Sequence, residues 1–130
     1  MEKKKKAGVF TAPGRKPWPH ERRVADLLAL AGHYVEFLPE SHVHTADIKI
    51  DGVEYEIKSP KSATANSLEH SLKKALKQSS NLVIDSSRLK GVRDDKIRRF
   101  LVSQVRSRKQ IKRMLFVTKT GKIIDIFGLL

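Results

Sequence analysis

Apolar and polar positions alternate with period two from Asp47 to Lys58, and apolar positions recur at helical spacing on either side of that stretch. Ile48, Ile50, Val53, Tyr55 and Ile57 make one set; Asp47, Lys49, Glu54, Glu56 and Lys58 make the other. Asp51-Gly52 between them tolerates the positive φ angles of a two-residue hairpin turn. That turn fixes a register: Ile50 opposite Val53, Lys49 opposite Glu54, Ile48 opposite Tyr55, Asp47 opposite Glu56. Upstream, Val24, Leu27, Leu28 and Ala31 fall at i, i+3, i+4 and i+7 and predict an amphipathic helix. It opens at Trp18-Pro19-His20-Glu21, with Pro19 in the first turn, and stops at Gly32. Downstream, Leu68, Leu72, Ala75 and Leu76 predict a second helix capped by Ser67, with Lys73, Lys74 and Lys77 pointing outward. Ile97, Leu101 and Val105 predict a third, running from Asp94 or Asp95 to about Lys109. Short strands are expected at residues 34–38, 81–85, 114–118 and 123–127, the last two forming a hairpin around Lys119-Thr120-Gly121-Lys122. Residues 1–16 are basic and aperiodic and predict a mobile leader. The element order is αβββαβ followed by αββ. It describes an α/β domain over residues 18–130 behind a basic leader of residues 1–17.

Composition narrows the class. A chain of 130 residues holds one core. The absence of cysteine excludes disulfides and a thiolate zinc site. No apolar run has the length of a membrane span, and the N-terminus lacks the apolar core of a signal peptide. Net charge is +13, partly from the Lys3–Lys6 run but largely from basic residues between Lys73 and Arg113. That balance favours a polyanion, most simply a nucleic acid, without separating DNA from RNA. An acidic protein partner, or solubility alone, is the other reading.

The hairpin carries the candidate chemistry. Lys49 opposite Glu54 is an ordinary cross-strand ion pair, but Asp47 opposite Glu56 sets two carboxylates together, which is unfavourable unless something positive joins them. Lys58 is one candidate, and a divalent cation such as Mg²⁺ is a better one, since it binds one or two carboxylates while phosphate and water complete its shell. A solvated, salt-linked hairpin is the bland alternative. His42 and His44 have the spacing to meet one metal from an extended segment, without an obvious third ligand. His20, His33 and His70 read as structural or exposed, and Trp18 as a packing residue at the helix start ahead of a base-stacking platform. Glu21 in a first turn suits the helix dipole.

An acidic residue, a hairpin and then Glu56-Ile57-Lys58 resemble the signature of the PD-(D/E)XK nuclease superfamily, whose core order is also αβββαβ. The likeness continues through Trp18-Pro19-His20-Glu21, Gly32-His33-Tyr34-Val35-Glu36-Phe37-Leu38-Pro39, Ala46-Asp47-Ile48 and Leu76-Lys77-Gln78-Ser79 to Val83-Ile84-Asp85. Over residues 18–127 the chain is similar to the C-terminal tRNA nuclease domains of CdiA-type contact-dependent growth inhibition toxins. One departure is Ala46, where the strict signature has proline. The resemblance implies a mixed central sheet flanked by helices, with an added C-terminal helix and β-hairpin. It implies an endonuclease delivered within a larger protein, cleaving tRNA in the cytoplasm of a target cell and blocked by a cognate, acidic immunity protein. Asp47 and Glu56 would bind Mg²⁺ or another divalent cation, and Lys58 would orient the attacking water or stabilise the phosphorane. Glu21 corresponds to an acidic first-helix residue near the metal, and Gln78 to a position facing the site. Lys61 and Ser62 are candidates to hold substrate phosphate, and Lys73 and Lys77 to bind the flanking backbone. Metal-independent cleavage by 2′-hydroxyl attack, a DNA endonuclease on the same fold, a non-catalytic nucleic-acid-binding module and a degenerate nuclease fold are the rivals.

Overall fold

The expected hairpin turn forms, with Asp51 at φ 51° and Gly52 at φ 84°. In the computed structural model, which describes residues 6–40 and 46–130, it joins β3 (Ile48–Ile50) to β4 (Val53–Lys58). Ile50 pairs with Val53, Lys49 with Glu54 and Ile48 with Tyr55, as the alternation requires. The rest of the order is β1 (Gly8–Thr11), α1 (Pro19–Leu30), β2 (Tyr34–Phe37), α2 (Ala65–Leu76), β5 (Asn81–Asp85), α3 (Asp94–Ser107), β6 (Arg113–Val117) and β7 (Ile123–Asp125). A 3₁₀ turn over Ile126–Leu129 follows. Among the described residues no helix is long and apolar enough to cross a membrane.

All seven strands form one mixed sheet in sequence order. β2, β3 and β4 are an antiparallel meander. β4, β5 and β6 run parallel, which places α2 and α3 as the crossovers between them. β5 shows why the sheet is covered on both faces. Val83 joins the cluster of Val24, Ala25 and Leu28 from α1, whereas Leu82 and Ile84 join Leu68 and Leu72 of α2 and Ile97 and Leu101 of α3. Period-two alternation therefore divides two cores instead of separating core from solvent.

Four expectations change. Gly8–Thr11, expected in a mobile leader, is a strand parallel to β2, with Val9 beside Val35; residues 1–5 lie outside the described set. Thr64, not Ser67, caps α2, because its hydroxyl accepts the Ser67 amide at 3.2 Å. The last strand stops at Asp125, whose carboxylate accepts the Phe127 amide and turns the chain into the 3₁₀ segment, burying Ile126. Finally, the polar face of the first hairpin is only partly solvated, since Glu56 is 6% exposed.

Candidate active site

Parallel register explains that burial. Residues paired across neighbouring strands share a face, so Glu56 lies in one row with Leu82 and Met114. It is a carboxylate in an otherwise apolar row, beneath α2. Its pKa is pushed up to about 8, first by burial and then by the hydrogen bond and the charge of Asp47, with Lys58 pulling the other way. Oε1 of Glu56 is buried without a hydrogen-bond partner. Its other oxygen lies 3.6 Å from Lys58 Nζ, on a side chain that is 30% exposed.

Asp47 reaches Glu56 differently from the expected face-to-face pair. The β3–β4 ladder ends at Ile48 and Tyr55. Beyond it the Asp47 amide donates to the Tyr55 carbonyl at 3.1 Å, and the Asp47 carboxylate accepts the Ile57 amide at 3.0 Å. Asp47 thereby closes the open end of the ladder with its side chain and points the carboxylate at Glu56. With one proton on Glu56, the pair has a hydrogen bond in place of a like-charge contact. A divalent cation would satisfy the same oxygens without the proton. Two adjoining carboxylates, one with an orphaned oxygen, are a donor set that fits Mg²⁺. Among the described residues no group of three or more His, Asp or Glu side chains is placed to hold a metal. His42 and His44 lie outside those residues.

Arg15 is a further member of the site that the motif pattern does not point to. Its side chain is only 6% exposed, and its Nε donates to the Leu38 carbonyl at 3.1 Å. The guanidinium lies 5.6 Å from the centre of the Phe37 ring. Nη2 is 3.7 Å from Glu21 and 3.9 Å from Asp47, and Nη1 is 3.6 Å from Glu40. Arg15 is thus a fixed cation between the first helix and the hairpin. Glu21 is buried at the site's margin, accepting the Trp18 amide at 2.9 Å, with Arg15 between it and Asp47. Arginine in an aperiodic basic stretch looks like any solvated arginine; only the folding of β1 onto β2 brings this one inward.

The remaining candidates separate. Lys61 and Ser62 are exposed on the loop after β4, just past Lys58. Lys73 and Lys77 are exposed, one on α2 and one at its C-cap. Gln78 lies in the turn after α2, with its amide on the Ala75 carbonyl. The adjoining Ser79 and Asn81 side chains donate to the Glu54 carbonyl, so this turn meets β4 two residues before Glu56. Near Lys58, the carboxyl ends of the parallel strands hold a second polar cluster. Asp85 is fully buried and accepts from Ser59, Ser87 and Arg23. Ligands of parallel α/β sheets bind at this end of the strands.

The fold matches that of a CdiA-CT/CdiI toxin and immunity complex from Burkholderia pseudomallei with a TM-score of 0.66 at 17% identity, over 90% of this chain and 96% of that one. No curated protein matches in sequence. The model of the contact-dependent growth inhibition CdiA C-terminal domain matches residues 44–123, which contain the hairpin, both crossover helices and β5 and β6. The chain therefore belongs to the family of CdiA C-terminal domains, the toxin domains of contact-dependent growth inhibition.

Proposed function

We propose that this toxin domain is an endonuclease that cleaves tRNA by metal-assisted phosphodiester hydrolysis on a PD-(D/E)XK-like core. The observation that carries the reading is the Asp47–Glu56 pair: two adjoining carboxylates, one with a pKa near 8 and a buried unpartnered oxygen, its other oxygen 3.6 Å from Lys58. Buried carboxylates left in this condition are costly to a fold and are found where chemistry needs them.

A bound divalent cation would supply polarisation of the scissile phosphate and a more acidic water. Asp47 and Glu56 would hold it, with the backbone carbonyl of Ile57 as a further donor. Glu56 would release its proton as the cation arrives. Asp47 is kept in place by the Ile57 amide. Lys58, tethered to Glu56 yet partly exposed, faces the incoming phosphate and stabilises the charge that develops on it. Arg15 neutralises Glu21 and Asp47 from the far side, so the site needs fewer external cations. Lys61 and Ser62, exposed just past Lys58, would meet the next phosphate, and Lys73 and Lys77 more distant ones. Each such contact adds roughly one to the slope of log affinity against log salt. Gln78 has a supporting place on the α2 side of β4. The choice of tRNA rests on the family likeness of residues 18–38 and 76–85. By the same likeness the domain acts in the target-cell cytoplasm as part of a larger delivered protein. An acidic immunity protein, as charge +13 invites, blocks it in the producer.

The test is incubation with total tRNA and with plasmid, each in Mg²⁺ and in EDTA, for the wild type, Glu56→Gln and Lys58→Ala. Cleavage of tRNA in Mg²⁺, lost in EDTA and in both variants, is expected. Cleavage of plasmid alone replaces tRNA with DNA as substrate. Cleavage of tRNA that persists in EDTA removes the metal. No cleavage of either substrate by the wild type leaves a binding module.

A further inference from the structure

Trp18 is 68% exposed, although tryptophan ordinarily contributes most to a fold by burying its large ring. Its expected packing role at the helix start is therefore not what it does here. Phe10, another exposed aromatic, is stacked on Tyr34 with ring centroids 4.6 Å apart. Among the described residues no ring or cation lies over Trp18. The backbone that presents it is nevertheless rigid. Pro17 precedes it and Pro19 follows it, each with a fixed φ. Trp18 itself is extended at φ −66° and ψ 153°, and its amide is held by Glu21 at 2.9 Å. A chain of contacts then leads inward, from Glu21 to Arg15 at 3.7 Å and from Arg15 to Asp47 at 3.9 Å. The Trp18 backbone is thus joined through Glu21 and Arg15 to Asp47, and it carries an exposed indole two residues from the exposed Lys16.

We propose that Trp18 is a stacking platform for an unpaired nucleobase of the substrate next to the bond that is cut. The occupant follows from the surroundings. A flat π surface offered singly, in a molecule of charge +13, fits a base attached to a phosphate chain better than it fits a protein face, which would need a contiguous apolar patch. Base–aromatic stacking tolerates any base and requires no hydrogen-bond partner, and among the described residues none meets the indole. Prior fixing of the backbone removes much of the ordering cost of binding. It follows that the substrate is opened or single-stranded at this point, as in an RNA loop or end.

The inference rests on the nucleic-acid reading of the site, and its test separates the two. The chain has one tryptophan, so indole fluorescence reports Trp18 alone. The Glu56→Gln protein in EDTA is titrated with total tRNA, with oligoadenylate, and with heparin and an abasic oligonucleotide as base-free polyanions. Filter retention measures binding in parallel. Quenching by tRNA and oligoadenylate, but not by the base-free chains, is expected. Trp18→Ala should raise KM for tRNA about tenfold, the equivalent of roughly 1.4 kcal/mol, with a smaller effect on kcat and no loss of thermal stability. Trp18→Tyr should recover most of the difference. RNA that binds while the indole stays silent overturns the platform and leaves the nuclease reading intact. Equal quenching by heparin overturns it as well, since charge alone then moves the signal. Binding of no nucleic acid at all overturns both. Quenching confined to an added acidic protein assigns the ring to a protein interface and overturns the platform.

Discussion

Two buried carboxylates stand on neighbouring central strands, three residues apart in register, and the fold treats them in opposite ways. Asp85, at the end of β5, is fully buried and richly bonded. Ser59 Oγ donates at 2.9 Å, Ser87 donates through amide and hydroxyl at 3.0 and 2.8 Å, and Arg23 lies at 3.2 Å. Arg23 is fixed in turn by the Thr118 and Lys119 carbonyls. Glu56, one strand away, has an oxygen with no partner and a pKa near 8. Asp85 ties α1, the end of β4, β5 and the β6–β7 turn together; Glu56 meets Asp47 and Lys58, both of its own hairpin. A carboxylate satisfied on every side stabilises the fold, and one left with an unsatisfied buried oxygen costs it stability.

The strongest way to break this distinction is to neutralise each carboxylate and measure both activity and stability. Glu56→Gln should lower tRNA cleavage about 10³-fold or more, as loss of a metal ligand or of a transition-state charge does, while leaving the metal-free melting temperature unchanged or higher. Lys58→Ala should give a comparable loss of rate, since Lys58 is the cation nearest Glu56. A Glu56→Gln protein that unfolds but cleaves normally per folded molecule would reverse the assignment. Asp85→Ala should do the opposite. Removing one partner of a buried, hydrogen-bonded ion pair costs about 3 kcal/mol, here shared with three serine contacts. Any fall in cleavage should follow the fraction folded in urea.

How far the sequence announced this contrast depends on the reach of the contacts. The hairpin register from Ile48 to Tyr55 follows from alternation and one Asp-Gly turn, because those contacts are local. The helices follow from apolar spacing and are right to within a few residues. Asp47, Glu56 and Lys58 were visible as a motif, yet the burial of Glu56 was not. That burial comes from Leu82 and Met114 on strands more than twenty residues away, and the parallel register that aligns them leaves no local trace. Arg15 was missed for a similar reason. Nothing in Pro13-Gly14-Arg15-Lys16-Pro17 distinguishes a buried guanidinium from a solvated one. The signal that could have exposed it was Val9-Phe10-Thr11, a short β-prone run inside the basic stretch.

Arg15 offers a smaller and sharper test of the same comparison. Arg15→Met keeps the apolar stem over Phe37 and removes the charge facing Glu21, Asp47 and Glu40. Stability should fall by about 1–2 kcal/mol, less than for Asp85→Ala because the Glu40 side chain is exposed. Added Mg²⁺ or Mn²⁺ should then raise the melting temperature of Arg15→Met more than that of the wild type, since the ion can replace the missing charge and binding to the native state stabilises it. Equal shifts in the two proteins would mean that the guanidinium and the cation do not share the carboxylates.

Titration of Glu56 is the least direct test, and its sign is diagnostic. An unfolded Glu56 loses its proton near 4.5, and the folded one keeps it to about 8. Between those values the folded state holds more protons than the unfolded state, so stability falls as pH rises. The contribution is complete below 4.5 and is lost as pH passes through 8. Asp47 and Lys58 face the same group, and Glu56→Gln removes its titration while leaving both in place. In EDTA, the melting temperatures of wild type and Glu56→Gln should therefore diverge by several degrees from pH 5 to pH 8, with the variant above at the alkaline end. Mg²⁺ should narrow the gap from the wild-type side, because the cation compensates the charge that deprotonation creates. Parallel curves would mean that Glu56 ionises in the folded protein as easily as in the unfolded chain, and its difference from Asp85 would then be one of bonding alone, without any readiness to take up a cation.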